Sequence, residues 1–229
     1  MTAELIKLQA RHLDLVYSAH LEPPAFDLAA RWVELQSALY SHFSPYKLRL
    51  TDMKVESSGP NPADIAIACW MLSYGLSVRF RLDKVEVWSN STRLVTDKTL
   101  VSDLVQHAME ALRAASPEAR IHTHSLVVAL HGAHEKPSPV VRVTEFVTKT
   151  PPGAPELSAS GVSFFCQLPS GNGVGSIILE HSGLVQDGTF IRISSEQAGS
   201  VPVRDALGKA IEFFQAAVER LGFEMVWES

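Results

Sequence analysis

Cysteine is scarce in this sequence: its 229 residues include two, Cys69 and Cys166. Both lie in apolar segments, where a free thiol packs like a small hydrophobic side chain. Disulfide frameworks belong mainly to secreted proteins, and small ones carry many more cysteines than this. We therefore expect both thiols to pack in the core of a protein from a reducing compartment, which indicates a cytoplasmic location.

Long apolar runs are missing as well. The longest uncharged apolar run spans residues 65–72, whereas a helix that crosses a bilayer needs about 20 such residues. The first residues, Met1 to Lys7, lack the apolar core of a signal peptide. The sequence therefore predicts no association with a membrane.

Clusters of one charge sign are also lacking, although the formal net charge is −5, from 20 basic and 25 acidic residues. Binding to nucleic acid through bulk charge requires clustered Lys and Arg, because affinity comes from the release of counterions. Such binding is therefore unlikely on this sequence, although a local basic patch would be compatible with it.

Apolar residues make up 46% of the chain, and their clearest pattern is a helix over residues 202–221. Its apolar positions recur at three- and four-residue steps and form one stripe; they are Ala206, Leu207, Ala210, Ile211, Phe214, Ala217, Val218 and Leu221. Gly222 follows, where a left-handed C-terminal cap is favoured. Because an isolated helix cannot bury such a stripe, we expect it to lie on a sheet.

Two further helices are predicted, at residues 26–43 and 100–115, between runs of strand-like sequence. The strands are expected at residues 13–21, 48–55, 64–72, 76–82, 85–87, 121–130, 140–148, 162–168, 174–181 and 189–194. The apolar alternation changes parity near Thr51-Asp52 and again near Asp83-Lys84, which predicts a bulge or tight turn at each. The Asn172-Gly173 pair predicts a hairpin, and residues 150–160 form a proline-rich loop.

The order of these elements lacks the strand–helix alternation of a parallel sheet. Hairpin-linked strands interrupted by single helices indicate an α+β fold, with mainly antiparallel sheet and three long helices packed on the sheet faces. We expect one compact domain, in which two similar halves, of about residues 1–97 and 98–229, are possible.

The layout of several segments resembles that of a sporadically distributed, functionally uncharacterised bacterial α+β protein family. The matching segments run from Val85 to Trp88, from Leu100 to Ala115, from Ser125 to Leu130 and from Ala206 to Trp227. The resemblance implies the same fold class and a bacterial source. It brings no known activity and no catalytic residue.

Histidines around residue 122 are a candidate metal site. Residues two apart on a strand point the same way, so His122 and His124 could chelate one ion, with His134 as a third ligand. Two surface histidines on a strand account for the pattern equally well, since no Cys or acidic cluster lies nearby in sequence.

Arg79 and Arg81 are a candidate partner-binding pair, because both project from one face of a predicted strand. Such a pair could hold an acidic partner or a phosphate. Cross-strand pairing with Glu56 or Glu86 is the alternative.

Catalytic motifs are not recognisable in this sequence. Neither Ser125 nor Ser182 lies in a Gly-x-Ser-x-Gly context, and the glycines near residue 173 precede a β-branched run rather than the helix that a phosphate loop requires. We therefore expect no cofactor, and the absence of such motifs favours a protein that is not an enzyme.

Three functions remain open from the sequence. The first is a non-enzymatic protein-interaction or assembly module of a bacterial cytoplasmic system, with a protein partner or self-association into an oligomer. The second is a small-molecule binding protein with an apolar cavity between sheet and C-terminal helix. Aromatic residues are numerous enough to line one; they include Trp32, Trp70, Phe80, Trp88 and Phe214. The third is a metal-dependent enzyme that uses His122 and His124.

Overall fold

The computed structural model describes residues 5–57, 59–61, 64–71, 75–90, 98–134, 161–168 and 173–227. The strand predicted at residues 140–148, the proline-rich loop at 150–160 and the Asn172 turn position lie outside them.

Three α-helices and ten strands make up the described chain. The helices are α1 (Trp32–Phe43), α2 (Lys98–Ala115) and α3 (Val203–Arg220). The strands are β1 (Ile6–Leu21), β2 (Met53–Ser57), β3 (Ile65–Met71), β4 (Leu76–Phe80), β5 (Lys84–Ser89), β6 (Ile121–Ala133), β7 (Gly161–Gln167), β8 (Gly173–His181), β9 (Thr189–Ala198) and β10 (Phe223–Trp227). Short 3-10 helices occur at Phe26–Ala30, Ser44–Tyr46 and Leu50–Asp52.

The ten strands belong to one sheet in the order β2-β3-β4-β5-β1-β6-β9-β8-β7, with β10 beside β1. Antiparallel pairing joins β2 to β3, β3 to β4, β4 to β5, β5 to β1 and β7 to β8. The predicted α+β class, with mainly antiparallel sheet and three long helices, is confirmed. The pair of β1 and β10 is parallel, from Ile6 opposite Phe223 to Ala10 opposite Trp227, and no strand was predicted after the last helix.

Contacts divide the chain into two compact units, each built from separate stretches. One, the helix-pair unit, contains Leu15–Leu126 and Glu196–Lys209. The other, the hairpin unit, contains Met1–Asp14, Val127–Ser195 and Ala210–Ser229. One domain with possible halves meeting near residue 97 stays a prediction.

The last helix buries the stripe that its sequence predicts, except for Leu221, which follows the last helical residue and is half-buried. Ile211 and Phe214 are 2% and 1% exposed, and Ala206, Leu207, Ala210, Ala217 and Val218 are buried with them. Gly222 ends the helix with a φ of +88°, and its N–H donates to the Glu219 carbonyl at 2.9 Å. The predicted left-handed cap is therefore confirmed.

Two local predictions can be compared with the structure. The bulge or tight turn predicted near Asp83 is the tight turn of a hairpin, because β4 and β5 pair antiparallel and the Arg81 N–H donates to the Lys84 carbonyl at 2.8 Å. The first predicted helix is divided at Arg31, whose N–H closes the 3-10 turn on the Leu28 carbonyl.

Among the described residues, no helix combines the length and the apolar composition that crossing a membrane requires.

Candidate functional site

A groove in the hairpin unit has the size and the lining to hold a ligand. It has a volume of about 530 Å³. Its walls come from β7, β8 and the C-terminal part of α3, and its lining residues are Phe164, Phe165, Cys166, Gln167, Ile177, Phe213, Ala216, Ala217, Arg220 and Leu221. A volume of this size falls within the range of roughly 300–1,000 Å³ that small-molecule sites occupy.

Small residues on the helix leave this space open, and a glycine on the strand lets a helix side chain pack against the sheet. Gly175 of β8 lets the Phe213 ring approach the strand, since a Cβ at residue 175 would lie 2.6 Å from Phe213 Cζ. Ala216 and Ala217, one turn further along α3, leave room where longer side chains would meet the hairpin. The groove therefore exists because α3 has small side chains where larger ones would fill the space.

Phe164 and Phe165 line the strand side of the groove, and because they are consecutive on β7 their rings point to opposite faces of the sheet. Phe164 is 46% and Phe165 is 85% exposed, although a Phe side chain gains about 1.5–3 kcal/mol from full burial. Ile177 lies opposite Phe164 across the β7–β8 pair. A bound apolar molecule would cover the ring of Phe164, which shares the face of Ile177 and is otherwise exposed to solvent.

The groove carries positive charge at one end. Arg220, in the last turn of α3, is one of its lining residues. Cys166 is a free thiol whose Sγ lies 3.6 Å from the Gly175 carbonyl oxygen. An apolar body with an acidic end therefore matches the lining better than an apolar cation does.

The other cysteine packs as the sequence predicts. Cys69 on β3 is free and fully buried. Burial, and secondly the nearby Asp52 carboxylate, raises the pKa of its thiol to about 12. Cys69 is thus a core residue without the thiolate that reactivity requires.

The arginine pair predicted to bind a partner lies in the helix-pair unit, where both side chains meet carboxylates. Arg79 Nε is 3.6 Å from Glu56 Oε2, and its guanidinium carbon lies 4.9 Å from the centre of the Trp70 ring. Arg81 Nε is 4.0 Å from Glu86 Oε2. Recognition of a partner by these arginines stays a prediction.

A smaller cavity of about 350 Å³ lies beside Arg79. Trp70 and Trp88 line it from β3 and β5, on either side of Ser77, which is opposite both of them in the strand register. Of the aromatic residues proposed from sequence to line a cavity, Phe80 and Phe214 are instead fully buried core.

The proposed metal ligands His122 and His124 have different surroundings. His122 is exposed, and its Nδ1 lies 3.1 Å from Glu22 Oε2. His124 is 2% exposed, with Nδ1 at 2.7 Å from the Tyr17 hydroxyl and Nε2 at 2.9 Å from the Val201 carbonyl oxygen. Binding of an ion by His124 would replace one of these hydrogen bonds.

The contacts of His124 define its tautomer. A carbonyl oxygen only accepts, so Nε2 carries the proton and donates to Val201, and Nδ1 accepts from the Tyr17 hydroxyl. Burial lowers the pKa of His124, partly offset by its hydrogen bonds to the backbone at Val201 and Gly199. Burial also raises the pKa of Tyr17. This neutral pair holds β1 to β6 inside the helix-pair unit.

His134, the third proposed ligand, lies in the hairpin unit, where its Nε2 is 3.0 Å from the Thr189 hydroxyl. Another histidine of that unit, His131, contacts Ser182 at 2.9 Å. The Ser182 hydroxyl also accepts from the N–H groups of Leu184 and Val185, at 3.1 and 2.8 Å. These hydrogen bonds give Ser182 a structural role, because they stabilise the turn that follows β8.

Comparisons with known proteins add little. No family model matches the chain, and no curated protein matches it. Among solved structures, the TBP of Methanococcus jannaschii is similar over 96% of this chain and 98% of that one, with 12% identity and a TM-score of 0.33. A similarity this weak supports no functional inference. The resemblance to an uncharacterised bacterial family stays an expectation.

Proposed function

We propose that this protein is a non-enzymatic binding protein that takes a small apolar molecule with an acidic end. The groove between the β7–β8 hairpin and α3 carries the proposal. It combines a volume of about 530 Å³ with the exposed ring of Phe164 and a cationic side chain at one end. The acidic group would face Arg220, and the apolar body would cover Phe164.

Direct binding of dodecanoate and of dodecanol tests this site. We expect dodecanoate to bind with measurable, saturable affinity in calorimetry, because its chain would cover apolar surface and its carboxylate would pair with Arg220. Dodecanol should bind more weakly. The variant Arg220→Gln should reduce this preference for the acid, since it removes the charge and keeps the length of the side chain.

A matched pair of tryptophan variants locates the binding. Ala216 lines the groove and Gln215 does not belong to the lining, although both are exposed neighbours on α3. Ala216→Trp should fill the groove and lower affinity at least tenfold, whereas Gln215→Trp should leave it unchanged. Equal affinities for the two variants, or no saturable binding by the unmodified chain, would refute the proposal.

Protein interaction is the second candidate, and the exposure of the same hairpin favours it. Phe165 is 85% and Val174 is 59% exposed, and exposed apolar side chains close together are typical of surfaces that partners cover. Light scattering over a range of concentrations tests self-association, with Phe165→Ser as the variant. A constant monomer mass, together with ligand binding in the groove, would favour the small-molecule function.

A further inference from the structure

Two histidines and a glutamate meet where α1 and α2 pack together in the helix-pair unit. His42 lies in the last turn of α1, and His107 and Glu110 lie one turn apart on α2. The centres of the two imidazole rings are 5.7 Å apart. Residues three apart on a helix share a face, so α2 presents His107 and Glu110 together toward His42.

The distances in this cluster match those between ligands of one metal ion. Glu110 Oε2 lies 3.4 Å from His42 Nδ1 and 3.5 Å from His107 Nδ1. Ligand atoms at about 2.0–2.1 Å from a tetrahedral Zn²⁺ are themselves roughly 3.3–3.4 Å apart. The three ligand atoms all lie within 4.8 Å of one another, so small side-chain rotations suffice for coordination.

The polar atoms around the cluster are arranged for a cation. His107 Nδ1 is buried and makes no hydrogen bond within the described part of the chain. Gln106 Nε2 donates to Glu110 Oε1 at 3.0 Å, which leaves Oε2 facing the histidines. Outer hydrogen bonds of this kind commonly orient metal ligands.

The surroundings leave the cluster accessible on one side and apolar on another. The side chains of His42 and Glu110 are 32% and 39% exposed, so an ion can reach them from solvent. The rings of Phe43 and Tyr46 lie 6.0 and 6.1 Å from that of His107. Two imidazoles and one carboxylate form a donor set of the kind that Zn²⁺ and similar ions prefer.

We propose that His42, His107 and Glu110 bind one divalent transition-metal ion through two Nδ1 atoms and a carboxylate oxygen. A water molecule completes the coordination. The ion links the end of α1 to the middle of α2 and so stabilises the helix-pair unit. This site is separate from the groove, and it uses none of the histidines that the sequence pattern pointed to.

Titration of the chelator-treated chain with Co²⁺ tests the site. We expect about one equivalent to bind, with the strong visible absorption of a four-coordinate nitrogen and oxygen site, and Zn²⁺ to displace it. Zn²⁺ should also raise the thermal midpoint, because it binds the folded state. Weak six-coordinate absorption without saturation would overturn the proposal.

Three variants separate this cluster from other histidines. Glu110→Gln keeps the shape of the side chain but removes a ligand. It should lower the affinity for Co²⁺ by at least roughly 10–100-fold, because even the loss of a residue that only supports a ligand costs that much. His42→Gln should do the same. His122→Ala is the matched control, since His122 is an exposed histidine with a carboxylate neighbour, and it should bind as the unmodified chain does.

Circular dichroism of the metal-free variants confirms that they fold. Glu110 is partly exposed on a helix, so Glu110→Gln should retain the metal-free thermal midpoint. Loss of the Co²⁺ spectrum in folded Glu110→Gln, with retention in His122→Ala, supports the assignment. Full affinity in Glu110→Gln and His42→Gln, or loss in His122→Ala, overturns it.

Discussion

Replacement of Phe214 by Ala measures how firmly the last helix is docked. The Phe214 side chain is 1% exposed on α3. Its neighbour Gln215 is exposed on the same helix. The two positions therefore separate the loss of core packing from any effect on the helix itself.

The expected loss follows from two contributions. Removal of a buried aromatic side chain forfeits about 1.5–3 kcal/mol of transfer free energy. A residual cavity on the order of 50 Å³ adds about 1 kcal/mol, at roughly 24 cal/mol per Å³. We therefore expect Phe214→Ala to lower the free energy of unfolding by about 2.5–4 kcal/mol, and Gln215→Ala to change it by less than about 0.5 kcal/mol.

Urea denaturation, followed by circular dichroism and by tryptophan fluorescence, measures both values. Coincidence of the two transitions shows that the chain unfolds in one step, which the comparison of free energies requires. In a thermal melt the same loss corresponds to a midpoint roughly 6–15 °C lower. A loss below about 0.5 kcal/mol for Phe214→Ala would show that α3 is not packed as described.

Backbone and pH changes provide further predictions. Gly208→Ala should raise the free energy of unfolding by about 0.5–1 kcal/mol, because nothing lies within 4 Å of an added Cβ; a lower urea midpoint would contradict this. Gly222→Ala should lower the free energy of unfolding by about 1 kcal/mol, since φ at this residue is +88°; an unchanged urea midpoint would contradict the left-handed cap. Stability should fall as pH drops below about 6.5, because burial lowers the pKa of His124 and protonation favours the unfolded chain. His124→Gln should flatten that slope in urea titrations from about pH 5 to 8, and an equal slope would assign it to other groups.

Local chemistry explains which parts of the fold could be predicted. The stripe on α3 repeats at helical spacing, and Gly222 tolerates the positive φ that ends the helix, so both follow from neighbouring residues. The parity change at Asp83 also marks a real event. Its form, a hairpin turn rather than a bulge, depends on whether the two strands pair with each other, which a local pattern does not encode.

The candidate sites depend on residues that are distant in the sequence. The groove joins Phe164 of β7 to Ala216 of α3, and its space comes from small residues such as Ala217. A small side chain by itself gives no sequence pattern that would indicate a groove. The sequence contained one indication of the metal cluster, the His-x-x-Glu pattern of residues 107–110 on a predicted helix. His42, on another helix, completes it only when α1 and α2 pack.

The sequence by itself determined which face of α3 is buried, that Gly222 ends this helix, and which segments alternate between apolar and polar residues as strands do. These features depend only on the spacing of residues along the backbone. Tertiary structure decided the rest: that β10 lies parallel to β1, that the neutral His124 donates to Val201, and that an open groove lies beside α3. Each of these depends on a contact between residues far apart in the sequence, and periodicity carries no information about such a contact.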